Sequence, residues 1–460
     1  MTDEQQVRAL LRRAADESAC GQPPVDAVLE RARRRRRARR VTVSALTIAA
    51  VAVGGVALPS LVRTLGSGRA RPAVTNPLGL APDQTEPGPT AAELARFRWS
   101  DLPASPLGPR TQPILAWTGK ELLELGGLKD GSTTYDGAAF DPADGRWHRI
   151  ATMHANVGLW HAVSVWTGRQ LFVADGQFSS CLAVPGRSTH LAACLPRAGL
   201  YDPATNRWST TLLPQAMYGL SLQAAEWTGS QVILAGVNAN HGRLGIAAYD
   251  PATNRWQMIT PKLPAGHPTR SIAMVTAPGR LILWSLWDRL RTTKDGFSDR
   301  AGIDVLAMGA DPTWHDVTGD WPQEQNISTP ALAGQEILIS PGQTWCGTRC
   351  SPPPPGSPGY FADPATLTRT TIPPGPLGLT TPAFIWTGRT IIAINLDASI
   401  TGPGPRRIRP DDLALYDPAS TRWRELPSPP RSPPLSTTPI WAGSELLALT
   451  DHGALLTFHR

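Results

Sequence analysis

The octapeptide YDPATNRW fills residues 201–208 and recurs, letter for letter, at 249–256. A chain that repeats a turn at this interval is built by stacking one small unit many times, and no other feature of the sequence constrains the fold as strongly. Taken alone, the octapeptide is a turn. Asp202 can fold its carboxylate back onto backbone N–H groups, Pro203 pre-sets φ for the second turn position, and Asn206 tolerates a left-handed backbone. A relative at 140–147, FDPADGRW, has Gly145 where the copies have Asn206 and Asn254. Gly and Asn are the two residues that most readily accept positive φ, so the substitution fits a left-handed site. A fourth version, YDPASTRW at 416–423, places Thr421 there, which predicts a different or strained turn. Alternating apolar stretches flank each copy, so each is a strand, a turn and a second strand.

A second string alternates with the first. AWTGKELLELGG begins at 116, VWTGRQLFVADG at 165, EWTGSQVILAG at 226, IWTGRTIIAIN at 385 and IWAGSELLALT at 440, with weaker copies at 276–285 and 331–340. Each reads as a strand, a Gly-containing turn and a second apolar strand. The turn glycines are Gly119, Gly168, Gly229, Gly279, Gly334, Gly388 and Gly443, spaced by 49, 61, 50, 55, 54 and 55 residues. Seven units of about 50 residues, four strands each, predict an all-β, seven-bladed β-propeller of four-stranded antiparallel blades. Asp-Pro turns occur at 141, 202, 250, 311, 363 and 417, one fewer than the glycine turns. The last blade therefore lacks a fourth strand, and RFRWSDLP at 96–103 is the segment expected to supply it and close the ring.

The chain resembles the Kelch-repeat, galactose-oxidase-like propellers, in a membrane-anchored bacterial form. Their motif is an apolar strand, a double glycine, and a Tyr and a Trp separated by six residues. Gly126, Gly127, Phe140 and Trp147 match nearly all of it, and Tyr201 with Trp208, Tyr249 with Trp256 and Tyr416 with Trp423 match the aromatic pair. The resemblance covers residues 96–460 and implies the fold. Some Kelch-like propellers are copper radical oxidases with His and Tyr ligands, but no such set is reproduced here, because Tyr201, Tyr249 and Tyr416 belong to the repeat. No cofactor is expected.

The first 95 residues have another character. Residues 31–40, RARRRRRARR, form an Arg block, and residues 41–62 then run without a charge. At 1.5 Å per residue that run spans about 33 Å as a helix, enough for a bilayer core. The Arg block holds the N-terminus in the cytoplasm and predicts an extracellular propeller, with the lipid bilayer as the partner of residues 41–62. A cleaved signal peptide is the competing reading. Residues 1–40 form the inner tail, either an interfacial helix or the docking segment for a cytoplasmic partner such as a sigma factor, and 63–95 a Pro- and Gly-rich linker. The tail also carries most of the chain's net charge of +7. With an apolar span beside it, the Arg run points to membrane topology and lipid headgroups, and no nucleic acid is expected. Few Lys and many Arg fit a high-GC bacterium such as an actinobacterium.

Of the five cysteines, Cys20 stands alone on the inner side, whereas Cys181 with Cys194 and Cys346 with Cys350 form close pairs. Even counts at short spacing predict two local disulfides in an oxidising compartment; zinc at Cys346 and Cys350 is the alternative, with no second pair or His beside it.

If WTG joins first and second strands and the Asp-Pro turn joins third and fourth, both turn families share one rim. The irregular connections emerge at the other: Gln177 to Arg197, Asp288 to Gly302, Gly342 to Gly359 and Asp397 to Asp411. Variation concentrated on one face of a regular scaffold is where specificity is carried. The binding candidates on that face are His154, His161, His190, His241, Asp288, Arg291, Trp345 and Arg406. No Walker loop, His-Glu-x-x-His helix or Gly-x-Ser-x-Gly elbow is present. The expectation is an anchored ligand- or protein-binding module, sensor or scaffold, whose ligand is an extracellular glycan or protein; the alternative is an anchored extracellular oxidase or carbohydrate-active enzyme.

Overall fold

The structure, a computed structural model, describes residues 88–460 except 154–158, 160–161, 176–195, 239–240, 260, 262, 264–266, 294–295, 310–313, 319–329, 340–358, 376–381, 396–405, 408–412 and 430–433. The inner tail, the apolar run at 41–62 and most of the expected linker lie outside the described residues. Among the described residues, no helix is long and apolar enough to cross a membrane.

Seven four-stranded antiparallel sheets form the propeller. Blades one to six span residues 114–150, 163–212, 221–259, 269–316, 331–372 and 382–425. Blade seven takes Ile440–Trp441, Leu446–Leu449 and Leu455–His459 from the end of the chain, and its outermost strand is Arg98–Leu102, paired with Leu455–His459 from Leu102↔Leu455 to Arg98↔His459. The two ends of the domain are thus hydrogen-bonded into one sheet, and the ring has no free edge at its closure.

The turns follow from their residues. All seven predicted glycines have φ between 66° and 94°, the region that a Cβ disfavours. In the WTG turns the Thr backbone and hydroxyl bond the residue three positions on, as in Thr118 with Glu121, Thr167 with Gln170, Thr228 with Gln231 and Thr387 with Thr390. In the Asp-Pro turns the carboxylate accepts from the N–H two residues later, at 2.9 Å for Asp141, Asp202, Asp250 and Asp363. Asn206, Gly145 and Asn254 are left-handed, and so is Thr421 at φ 53°, so the fourth turn keeps the shape of the others and bears the strain of a β-branched residue. Leu367 holds the same position in blade five, at φ 58°.

The core is divided by blade interfaces. Second strands such as Leu122–Leu125, Leu171–Ala174 and Leu446–Leu449 are buried on both faces, and their residues alternate between neighbours. Leu123 and Leu125 pack with Leu171 and Val173 of blade two, whereas Leu122 packs with Leu447 and Leu449 of blade seven. One such apolar cluster lies between every adjacent pair of blades.

The repeated Trp residues are interface residues. Trp147, Trp208 and Trp423 sit directly opposite Phe140, Tyr201 and Tyr416 at centroid distances of 5.1–5.3 Å. Each indole N–H also donates 2.7 Å to a carbonyl just past the outer strand of the preceding blade: Trp147 to Pro103, Trp208 to Ala151 and Trp423 to Pro373. Trp256 makes a variant of this bond, 3.2 Å to the Thr211 hydroxyl. Blade four departs from the rule: Met308 stands opposite Trp314, whose indole nitrogen has no partner among the described residues, and blade five has no Trp in its outer strand Arg369–Ile372.

Two expectations change. The linker ends before residue 95, because Ala91–Leu94 form a helical turn capped reciprocally by Thr90 and Glu93, and Leu94 and Phe97 are buried between blades six and seven. Buried apolar residues at the end of a Pro-rich run make that end part of the domain. The segment from Asp288 to Gly302 is regular, since strands Arg280–Thr293 and Gly296–Met308 continue as a paired hairpin to Thr293↔Gly296. Backbone pairing continues where the charged residues read as a loop.

Candidate functional site

The connections between second and third strands emerge on the rim opposite the WTG and Asp-Pro turns, and they differ from blade to blade. Blade one carries a short hairpin, Leu128–Lys129 with Ser132–Thr133; blade three a tight turn at His241; blade four the long hairpin; blade six the pair Arg406–Arg407, bonded to Pro434–Leu435. His241 is exposed, and its N–H bonds the Asn238 carbonyl at 3.1 Å. Asp288 and Arg291 hold register positions opposite Ala301 and Ser298 on the hairpin, and Arg406 lies opposite Leu435. His154, His161, His190, Trp345, Cys181, Cys194, Cys346 and Cys350 lie outside the described residues. The structure therefore brings His241, Asp288 and Arg291 to adjacent blades on one side of the ring, with Arg406 on the same side of blade six.

On the same side is a polar cluster that the sequence reading passed over. His267 precedes the inner strand of blade four, and its Nδ1 lies 2.9 and 3.0 Å from the two oxygens of Asp304. The imidazole stacks on Trp287 at a centroid distance of 3.8 Å and 14°. Asp304 is buried, and burial raises its carboxyl above the usual range against the pull of His267. Beneath them the Thr269 and Ser285 hydroxyls bond each other at 3.0 Å, both fully buried. The ring of His267 is 28% exposed, so a partner at this face meets an oriented imidazole whose second nitrogen is not used by Asp304.

Blade one repeats the arrangement with different chemistry. Thr111 bridges Leu128 as Thr269 pairs with Trp287, and Arg110, beside Thr111, grips Asp136 at 3.0 Å as His267 grips Asp304. Both aspartates stand four residues before the residue that opens the pairing with the second strand, Phe140 and Met308. Arg110 is buried; it also donates to the Gly126 and Leu107 carbonyls and lies 3.4 Å from Glu124. Burial pushes Glu124 up to about 7, with the Ser105 hydroxyl and Arg110 pulling it only part of the way back. Asp136 behaves in the opposite way: although burial works against it, the Arg110 hydrogen bond and charge hold it below the usual range. This cluster ties the segment entering blade one to the closure, where Ser105 N–H bonds Gly453 and Arg110 N–H bonds Asp451.

A third group faces inward. Glu226 and Gln223 on the inner strand of blade three both reach the inner strand of blade four, Glu226 accepting from Thr276 N–H at 3.2 Å and Gln223 from Ile272 N–H at 2.8 Å. The signal for Glu124 and Glu226 was present in the repeat. Glu124 stands in a column otherwise filled by Val173, Leu234, Leu283, Ile339, Ala393 and Ala448; Glu226 in one filled by Ala116, Val165, Val275, Ala331, Ile385 and Ile440. Among the described residues, no three His, Cys, Asp or Glu side chains converge on a point that could hold a metal ion.

No protein-family model matches the chain, and no curated protein matches it. Among solved structures, a chain of one titled "Crystal Structure of Mitotic Checkpoint Complex" aligns over 88% of this chain and 99% of its own length, at 12% identity and a TM-score of 0.47.

Proposed function

We propose that this chain is a membrane-tethered propeller whose variable face binds a protein outside the cytoplasm, a binding and scaffold module of the Kelch type. The observation that carries the reading is the long hairpin of blade four. Its second strand runs nine residues past Trp284, the position equivalent to the strand ends Leu125 and Ala174 in blades one and two. At about 3.3 Å per residue this is a ribbon of roughly 30 Å, and an isolated two-stranded ribbon is only marginally stable in water. A partner that lies along it gains backbone hydrogen bonds at its edges. His267 stacked on Trp287, and His241 on the next blade, give that surface rigid amphipathic contacts at its base. The opposite rim, with its repeated short turns, is scaffold.

The tether rests on the Arg block followed by the uncharged run of residues 41–62. The test uses cells producing the full chain with an N-terminal tag. An added protease that does not cross membranes should digest the propeller of intact cells and spare the tag; a propeller protected until lysis refutes the topology. For binding, crosslinking through a photoreactive residue at position 291 should give a discrete protein adduct, which excess unlabelled full chain suppresses and an unlabelled chain with residues 288–301 replaced by a two-residue Asn-Gly turn does not. A glycan as the sole adduct refutes the protein reading.

A further inference from the structure

Where the inner strands of blades two, three and four meet there is a cavity of about 310 Å³, lined by Val163, Ser164, Gln223, Glu226, Ala273 and Met274 among others. Its size lies at the lower limit for small-molecule sites. Its making is specific. The inner strand of blade three carries a bulge between Leu222 and Ala224, and that of blade four one between Thr269 and Ser271. In a regular strand, residues three apart face opposite sides. The bulge beside Gln223 is what lets Gln223 and Glu226 both reach the same neighbour, and bulges of this sort re-aim side chains at ligand sites.

Glu226 is partly accessible within the cavity, yet protein surrounds it, and burial raises its carboxyl to about 7 against the Thr276 N–H. Among the described residues, no cation compensates it. The strands packed around it, Val163–Trp166, Ser221–Trp227, Val232–Asn238 and Thr269–Ala277, hold one other charged residue, Arg270, at the far end of its strand from Thr276. One carboxylate, with the neutral Ser164 and Gln223 among otherwise apolar walls, is a poor metal site and a good seat for an organic cation, whose ammonium meets the carboxylate while its hydrocarbon part meets Val163, Ala273 and Met274.

We infer that this cavity is a site for a small alkylammonium ligand, held by Glu226 at the meeting point of the inner strands of blades two, three and four. The inference does not rest on the binding proposed for the variable face. Binding requires the ionised carboxylate, so affinity rises with pH through the range in which Glu226 loses its proton.

The probe is n-butylammonium, added to the detergent-solubilised full chain and followed by calorimetry, with n-butanol as its neutral counterpart. Affinity should be about thirtyfold higher at pH 8.5 than at pH 5.5, the ratio expected for a group titrating near 7. n-Butanol should show no such dependence, Glu226→Gln should abolish the binding, and Glu425→Gln, an exposed carboxylate, should leave it intact. Filling the cavity with Ala224→Ile, which leaves the carboxylate in place, should also abolish it. Equal affinity at the two pH values, or binding that survives either cavity substitution, overturns the inference.

Discussion

Trp99 and Phe458, near opposite ends of the propeller, face each other across adjacent strands with ring centroids 5.1 Å apart, and the Trp99 indole donates 2.8 Å to the Pro427 carbonyl of blade six. This is the pair made elsewhere by Tyr201 with Trp208, rebuilt from two distant parts of the chain. The ring is closed by the same contact that joins its internal blades.

Trp99→Ala should therefore destabilise the whole domain, by about 3 kcal/mol from the lost burial of an aromatic side chain. Trp99→Phe keeps the ring contact and loses the indole bond, a change of about 1 kcal/mol. Urea unfolding of the two variants separates the terms. A loss confined to the terminal strand, with the remaining blades still melting at the wild-type midpoint, would show that the closure is not cooperative with the ring.

Thr421 predicts a gain. Thr421→Asn relieves a β-branched residue held at φ 53° and offers the amide oxygen that takes the tyrosine hydroxyl at 3.0 Å in Tyr201–Asn206 and Tyr249–Asn254. The variant should be more stable by about 0.5–1 kcal/mol, and the reverse change Asn206→Thr less stable by at least as much. Thermal melts of both give the signs.

Glu124 gives the protein a pH signature. Its pKa is raised by burial from 4.5 to about 7, so the folded protein retains a proton that the unfolded chain releases. That stabilisation is complete below about pH 4.5 and is lost as pH rises through about 7, a change of about 3 kcal/mol. Glu226 acts in the same direction. Asp136, Asp141 and Asp363, whose values are lowered, act oppositely, and their contribution is lost as pH falls below the ordinary aspartate range. Stability should peak between about pH 4 and 5, and Glu124→Gln should flatten its decline toward pH 8. A wild-type profile level from pH 5 to 8 contradicts this.

His241 is exposed and holds its turn through its backbone, so His241→Ala should shift stability by less than about 0.5 kcal/mol. Weaker crosslinking of the protein partner by this variant then reports on contact and not on folding. Asp304→Ala, which releases the oriented His267, should weaken the same adduct and also lower the melting temperature.

Blade number, turn positions and the left-handed sites were legible because each rests on local chemistry repeated several times: a carboxylate folding onto its own backbone, a Gly where φ is positive, an aromatic facing a Trp. The split blade was legible by counting, since six Asp-Pro turns among seven glycine turns leave one strand to be found. The polar clusters were missed for the converse reason. His267 and Asp304 lie outside the two repeated turn strings and meet only through the fold, and Glu124 and Glu226 become visible only when the blades are stacked in register and one column is read across them. The long hairpin was misread because its charges signalled a loop while its register with the opposite strand did not show in composition.

The indole bonds all run the same way round, each blade holding the one before it, and among the described residues they are missing on both sides of blade four: Trp314 makes none, and blade five has no Trp in its outer strand to make one. The circle is thus a belt with a buckle away from its sewn ends. When it loosens, the parting line runs beside the blade that carries the ribbon, and amide exchange should be quickest there, while the junction of the two termini stays shut.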